Sequence, residues 1–453
     1  MKEKLLTIFL FSITLNSFAQ TESQIPFEGM DQTWINGNDR RDSSVLTSKY
    51  FTGSVMIDGN VNYSFANPID HTVVGSTALA RTNEMQISSA CFGGDFTYGN
   101  ARARIMTQFG TRTTTVPRND LSVYRGQYDL ANVYRNLPEA YVGYHFDVLH
   151  GINVDAGMFM SYLGLNSYYQ VENWEYQASY TSDNTPWFFN GIRTQIFPTN
   201  KLKVELWLIN GWQSYGSFND MPGVGGNITY CPTENIKLLT NDYYGADVAG
   251  LPGRKRFHSD NSLLARYYKN KKSDGISQMA FSLTSDIGFE TGSGVVAFGG
   301  NTITPSQNFI SVMFYNRVWF HQNKFAWTIG GGLITNPGRY LVLYPTGDAS
   351  PLPNPNNPLT TVGTHPFSAN PGDQFTAWDC STNFDWMPNQ SVTFRIEYVH
   401  RETDVPYFAG HGGVTSPTGY TTTSFGLGTP YPNWVPDLVK SEDRIILAFL
   451  FRI

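Results

Sequence analysis

By residue type, three groups in this chain could do chemistry: eight histidines, three cysteines and the scattered carboxylates. His145 and His150 lie five apart and straddle a predicted turn, and His411 sits in a glycine-rich stretch. None pairs with Cys or a carboxylate at metal-ligand spacing, so no metal and no cofactor is assigned. Cys91, Cys231 and Cys380 are too few and too scattered for a disulfide framework and read as small strand-facing residues. Glu172 and Glu175 fall on a short helical stretch, but glycoside hydrolysis needs a defined opposed pair, and loop solvation suits them better. There is no nucleophile elbow, P-loop or dinucleotide fingerprint. Gly330-Gly331-Gly332 reads as a curved strand rather than a phosphate cradle. No catalytic residue is assigned, and the chain is read as a non-enzyme.

What remains is charge that swaps sides with aliphatics at every residue. In GIRTQIFPTNKLKVELWLINGW, Ile192, Ile196, Leu202, Val204, Leu206 and Leu208 oppose Arg193, Gln195, Lys203 and Glu205. In ARARIMTQF, Arg102 and Arg104 oppose Ile105 and Phe109; in EAYVGYHF, Glu139 and His145 oppose Val142, Tyr144 and Phe146. In SVTFRIEYV, Arg395 and Glu397 oppose Phe394, Ile396 and Tyr398. Period two is the signature of a strand whose faces meet different solvents.

The elements that carry these residues are therefore strands, many of them. Aromatic residues reach 15% while charged residues stay at 15%, low for a water-facing surface. Residues 1–19 read as a signal peptide: Lys2 and Lys4, the apolar run Leu5 to Phe11, and a small-x-small site at Ser17-Phe18-Ala19. Residues 20–48 read as a short periplasmic segment, and 49–453 as one β-domain without linkers. After the signal no stretch is long and apolar enough for a spanning helix. The net charge of −6 gives no reason to expect nucleic acid.

Turn punctuation divides 50–453 into sixteen candidate strands, with an error of about two, each near or above the ~9–11 residues that cross a bilayer at a tilt. They lie near 50–66, 84–97, 101–110, 137–148 and 152–160, then 188–198, 202–212, 223–231, 235–245 and 257–269. The last six lie near 276–289, 306–320, 324–335, 375–387, 391–400 and 443–453. Short connections such as Tyr98-Gly99-Asn100 and Pro388-Asn389-Gln390 alternate strictly with longer ones such as 67–83, 111–136, 161–187, 336–374 and 401–442. A soluble sandwich also alternates along its strands, but it has no reason to keep every second connection short. A bacterial membrane barrel does, with tight periplasmic turns and long external loops. In the final strand Ile445, Leu447, Phe449, Phe451 and Ile453 share one parity, as a closing strand requires.

In such a barrel the polar parity lines water, because an Arg or Lys turned to lipid near the midplane costs about 2–4 kcal/mol. The expected lining is Arg102, Arg104, Glu139, Arg193, Gln195, Lys203, Glu205, Arg395 and Glu397. Either it is a solvated wall without preference, or Arg102, Arg104, Arg193 and Lys203 form a basic ladder favouring anions. Loop 161–187 is the third long connection. It is either a constriction in which Glu172, Glu175 and Asp183 face Arg193 and Lys203 across the lumen, or an external cap packed by Trp174, Tyr176 and Tyr180. Trp and Tyr near strand ends, including Tyr144, Trp187, Trp207, Trp212, Tyr267, Trp319, Trp327 and Trp386, suggest interfacial girdles.

Three groups of segments carry a family resemblance. They are VNYSFANP with GDFTYGNARARIMTQFG; the central run LPEAYVGYHF, INVDAGMFMSYLG, NWEYQASY, GIRTQIFPTNKLKVELWLINGW and GGNITYCPTENIKLLTNDYYG; and the late AWDCSTNFDWMPNQSVTFRIEYVHRETD. In order and spacing they resemble the OmpL-like β-barrel porins of Bacteroidetes, known as putative β-barrel porin-2. The resemblance implies an outer-membrane pore for small hydrophilic solutes or ions, embedded in outer-membrane lipid, and brings no catalytic residues. The fold expected is thus an all-β transmembrane antiparallel barrel of about sixteen strands. A homotrimer is an open expectation, since such barrels commonly form one. The alternatives are an outer-membrane barrel enzyme and a secreted soluble carbohydrate-binding β-protein. A plugged active transporter is disfavoured because 20–48 is too short for a plug domain.

Overall fold

The computed structural model describes residues 26–453, except 118–119, 121, 123–127, 218, 249, 302, 305, 338–374 and 415–436. The predicted signal peptide and most of the last two long loops lie outside the described residues.

The first strands are β1 (Phe51–Ser64), β2 (Glu84–Tyr98), β3 (Ala101–Phe109), β4 (Glu139–Phe146) and β5 (Ile152–Met160). Next come β6 (Phe188–Thr199), β7 (Leu202–Ile209), β8 (Gly223–Thr233), β9 (Ile236–Gly245) and β10 (Lys255–Lys269). Then follow β11 (Ile276–Thr291), β12 (Asn308–Phe320), β13 (Phe325–Asn336), β14 (Phe375–Trp386) and β15 (Val392–Thr403). A two-residue pair, β16 (Phe408–Ala409) and β17 (Leu438–Val439), belongs to the last long loop, and β18 (Ser441–Arg452) ends the chain. Strands β1 to β15 and β18 close into one barrel of sixteen, each pairing antiparallel with its neighbours. Every one of the sixteen expected strands is present.

Closure is made by β18, which pairs with β15 on one side and β1 on the other. Leu447 and Phe449 on its outward parity are exposed, while Ile446, Ala448 and Leu450 are buried inside. The same split runs through the first hairpin considered above. Ile192 is 45% exposed, Leu206 56% and Leu208 46%, whereas Glu205 between them is 4% exposed. Aliphatics on the outside and charge on the inside is a soluble protein turned inside out, the arrangement a bilayer stabilises. No helix among the described residues is long and apolar enough to cross a membrane, which says nothing of spanning strands.

The aromatic girdle needs correction. Tyr144, Tyr267, Trp327 and Trp386 do face outward, but Trp187, Trp207, Trp212 and Trp319 are buried within the barrel. They pack against segments that enter the lumen, so strand-end position alone did not separate the two groups.

Candidate functional site

The lumen is the candidate site, and three layers build it: the inward parity of the strands, loop 161–187, and the segment before β1. The expected lining residues all sit on the inward parity. They do not form an unopposed basic ladder. Arg193 Nη2 lies 2.7 Å from Asp155 Oδ2, and Arg102 Nε lies 3.2 Å from Asp155 Oδ1. Arg104 bridges Asp95 at 2.7 Å and Glu139 at 2.9 Å, and Lys203 meets Glu205 at 2.8 Å. Gln195 also donates to Glu205 at 2.8 Å. Arg104, Arg193 and Lys203 are matched by carboxylates on their own or an adjacent strand, and Arg102 reaches Asp155 on the next strand but one, across Gly143. The rings of Tyr141, Phe159 and Trp207 surround the Arg193 guanidinium at 4.9, 4.6 and 5.5 Å, so it is held on its faces as well. Asp155 was missed in the lining, although its parity with Asn153 in INVDAGMFM and its place opposite Arg193 mark it as inward.

Loop 161–187 lies inside the barrel. It contains a 3-10 turn, Gln170–Glu172, and a short helix, α1 (Tyr180–Asp183). Glu172 ends the turn and Glu175 follows outside it, so the two do not share a helix. A segment without a strand partner must satisfy its backbone some other way, and the inward side chains of the far wall do this. Glu397 accepts the backbone N–H groups of Tyr176 at 2.6 Å and Gln177 at 2.8 Å. Asp379 accepts from the N–H of Tyr180 at 3.0 Å and the hydroxyl of Ser179 at 2.9 Å. Arg395 donates to the Asn173 carbonyl at 2.9 Å, while Arg317 and Asn383 each reach the Trp174 carbonyl at 3.1 Å. On the first strand, Tyr176 donates its hydroxyl to Asp58 at 2.7 Å. Trp174, Tyr176 and Tyr180 pack inside the barrel, Trp174 edge-on against Trp319 at 5.4 Å, rather than forming an external cap.

The three loop carboxylates do not face Arg193 and Lys203. Glu172 forms an ion pair with Arg452, Asp183 meets Arg401 at 3.3 Å, and Glu175 accepts from Asn36 at 3.3 Å and from Asn166. The reason is local competition. Arg193 and Lys203 are already neutralised by neighbours fixed in the sheet, so Glu172 and Asp183 pair with arginines of the wall beside which the loop lies, and Glu175 is satisfied by amide donors.

The segment before β1 contributes the third layer. It runs across the short-turn, periplasmic end of the barrel. The Phe27 N–H reaches the Asn200 carbonyl at 2.8 Å, Trp34 Nε1 the Glu234 carbonyl at 3.0 Å, and Arg40 the carbonyls of Asn389 and Val392 at 2.9 and 2.7 Å. Asp31 sits among Arg266 at 2.6 Å, Lys271 at 2.8 Å and Lys269 at 3.6 Å. Burial pushes the Asp31 carboxyl up, but hydrogen bonds from Lys271, Thr33 and Arg266 outweigh that and hold it well below the usual carboxylate range. Trp34 itself is 1% exposed and packs with Leu165, Trp174 and Trp319. The segment bends up to the loop through Gly37, whose φ of +81° suits glycine, and whose missing Cβ would collide with the Leu165 carbonyl.

The histidines lie apart. His145 bonds Asn153 at 2.8 Å on the inward wall, and His411 reaches the Asn67 carbonyl at 2.8 Å in the loops.

Comparison with solved structures finds barrels of similar extent and little sequence in common. The outer-membrane channel DcaP of Acinetobacter baumannii is 10% identical, with 91% of this chain and 100% of that chain covered at a TM-score of 0.48. An anion-selective porin from Comamonas acidovorans is 8% identical, with 89% and 99% covered and a TM-score of 0.48. OprB of Pseudomonas putida is 11% identical, with 89% and 94% covered and a TM-score of 0.46. No curated protein matches the sequence. The sequence model of the family described as putative beta-barrel porin-2, OmpL-like, matches residues 50–430, which spans the barrel from its first strand into its last long loop. The chain therefore belongs to the putative β-barrel porin-2, OmpL-like family and is a porin of the bacterial outer membrane.

Proposed function

We propose that this porin passes small hydrophilic solutes or ions by passive diffusion, with loop 161–187 as its constriction and the segment before β1 as a second narrowing at the periplasmic mouth. No energy coupling and no catalysis enter this reading. Arg102, Arg104, Glu139, Arg193, Gln195, Lys203, Glu205, Arg395 and Glu397 act as the lining, each compensated, so that the wall is polar without being strongly one-signed. The proposed maturation removes 1–19, leaves the periplasmic segment 20–48 and the barrel 49–453, and seats the outward aliphatics in outer-membrane lipid. A homotrimer is the assembly proposed with it, as is common for such barrels.

The observation that supports this reading best is the pinning of loop 161–187 by inward side chains of β1, β12, β14 and β15. A loop held this way occupies cross-section that water would otherwise fill. The test is single-channel recording in a planar bilayer. Deleting 170–184 should raise conductance, and unchanged conductance would remove the constriction. Absence of channels from folded full-length protein would remove the porin mechanism itself.

A further inference from the structure

The inward carboxylates that line the barrel follow a rule, in which each faces a cation or accepts hydrogen bonds from N–H or O–H donors. Asp385 has Arg317 and Arg395, Glu290 has Arg254 and Arg256, and Glu397 has two backbone N–H groups. Asp260 and Asp286 barely meet it: among the described residues neither pairs with an Arg or Lys, and only one of their four oxygens has a donor outside the pair. They stand directly opposite each other on β10 and β11, and their carboxyl groups adjoin. They are 1% and 2% exposed. Asn241 donates to Asp260 Oδ1 at 3.0 Å, but beyond the contact between the two carboxyls themselves Asp260 Oδ2 and both oxygens of Asp286 have no hydrogen-bond donor.

Two further side chains point into the same place with their polar atoms unused. Ser311 lies opposite Asp286 on β12, is 1% exposed, and its hydroxyl has no hydrogen-bond partner. His258, two residues from Asp260, brings Nε2 to 3.3 Å from Asp286 Oδ1, and neither ring nitrogen makes a hydrogen bond. Asn227, Asn241, Asp260, Asp286 and Ser311 thus form one inward row across β8 to β12. Its hydrogen bonds run toward the acids, from Asn227 to Asn241 at 2.5 Å and on to Asp260.

Two adjoining buried carboxylates repel each other and have each lost their hydration, so the arrangement is stable only when the pair shares a proton or a cation lies between them. Two negative charges are balanced by one divalent ion. The free donors are mostly oxygens, which suits a hard cation that completes its shell with water. No group of three or more His, Cys, Asp and Glu among the described residues could hold a metal, so a zinc-type cage is not the match.

We propose that Asp260, Asp286 and Ser311 form a lumenal binding site for a hard divalent cation of the calcium class, with His258 closing one side. The site is a property of the barrel wall and stands whether or not the loop sets the conductance.

Terbium, a luminescent stand-in for calcium, tests it on the full-length protein in detergent after chelator treatment. The Trp212 ring lies 4.8 Å from the His258 ring and is placed to sensitise the emission. Wild type should show saturable tryptophan-excited emission that Ca2+ displaces and K+ does not. Asp260→Asn and Asp286→Asn should each lose it, and Ser311→Ala should weaken binding several-fold. Heat-modifiable migration on gels reports whether each variant has folded. Trp212→Phe keeps the carboxylates, so it should dim the emission yet retain an upward shift of melting temperature with Ca2+. Emission of equal strength and saturation in the folded double variant Asp260→Asn/Asp286→Asn would overturn the site. So would a wild-type melting temperature that Ca2+ leaves unmoved, the result expected if a shared proton alone joins the two acids.

Discussion

Asn36 accepts the backbone N–H of Trp174 at 2.9 Å, joining the segment before the first strand to the tip of the loop inside the barrel. The contact is reinforced on both sides. Asn36 also donates to Glu175, and the Gly37 N–H reaches the Glu172 carbonyl at 3.2 Å. Arg452 on β18 meets Asp39 at 3.2 Å and pairs with Glu172. The loop is therefore held from the short-turn end of the barrel as well as by the wall, and the two narrowings proposed above would form one unit.

The first prediction follows from Gly37. Its left-handed φ and its closeness to the Leu165 carbonyl leave no room for a branched side chain. Gly37→Val should detach the segment from the loop while leaving the barrel's hydrogen bonds intact. Single-channel conductance should rise, with unchanged heat-modifiable migration. A variant that folds and conducts like wild type would show that the segment does not narrow the mouth.

Arg401 carries the second. Its guanidinium donates to the Gly75 carbonyl at 2.5 Å, pairs with Asp183 at 3.3 Å, and lies 4.0 Å over the Tyr180 ring. Removing one partner of a buried pair leaves the other uncompensated, at a cost of about 3–5 kcal/mol. Arg401→Ala should lower the melting temperature measured by circular dichroism and release α1 from the wall. The double variant with Asp183→Asn should recover part of that loss, because no unpaired charge then remains. If the double variant is no more stable than the single, the pair is not the reason.

The third concerns pH. Asp31 is depressed in the docked segment, so its contribution is present at any pH above its ordinary value of 3.8 and is lost only as pH falls through the lower docked value. Conductance limited by the segment should hold constant from neutral pH to near 4 and rise in stronger acid. Asp31→Asn should abolish that acid limb. An acid limb of equal size in the variant would assign it to other groups.

The strands could be read from sequence because a bilayer imposes one rule on every residue: with lipid on one face, a shift of one position turns charge into hydrocarbon. Ile192 and Arg193 show it as neighbours. The alternating connections supplied the rest, since antiparallel pairing of consecutive strands allows little else. The interior was less legible. Arg193 and Asp155 are separated by 38 positions but face each other in register, so pairing the predicted strands would have found them. Glu172 and Arg452 are 280 positions apart, and Asp183 and Arg401 are 218 apart. No periodic pattern ties a loop to the wall it docks on. Trp34, in a polar stretch before the first strand, looks like linker until the barrel mouth surrounds it.

Ion selectivity gives the last prediction, and Asp155 decides it. The residues that suggested a basic ladder are Arg102, Arg104, Arg193 and Lys203, yet Asp155 pairs with two of them and is fully buried between. With Asp95, Glu139 and Glu205 serving the others, the wall presents paired dipoles rather than net positive charge. The field of such pairs falls off faster than that of a free charge, so wild-type reversal potential in a salt gradient should lie near zero. Asp155→Asn removes one negative charge and frees two guanidinium groups at once, with little change in volume. Reversal potential should then shift toward the chloride value, and the shift should shrink as salt is raised from 0.1 to 1 M, because screening shortens from about 10 to about 3 Å. Arg193→Gln in the same background should reverse part of it. A wild type already strongly anion-selective, with Asp155→Asn unchanged from it, would mean that charges elsewhere set the preference.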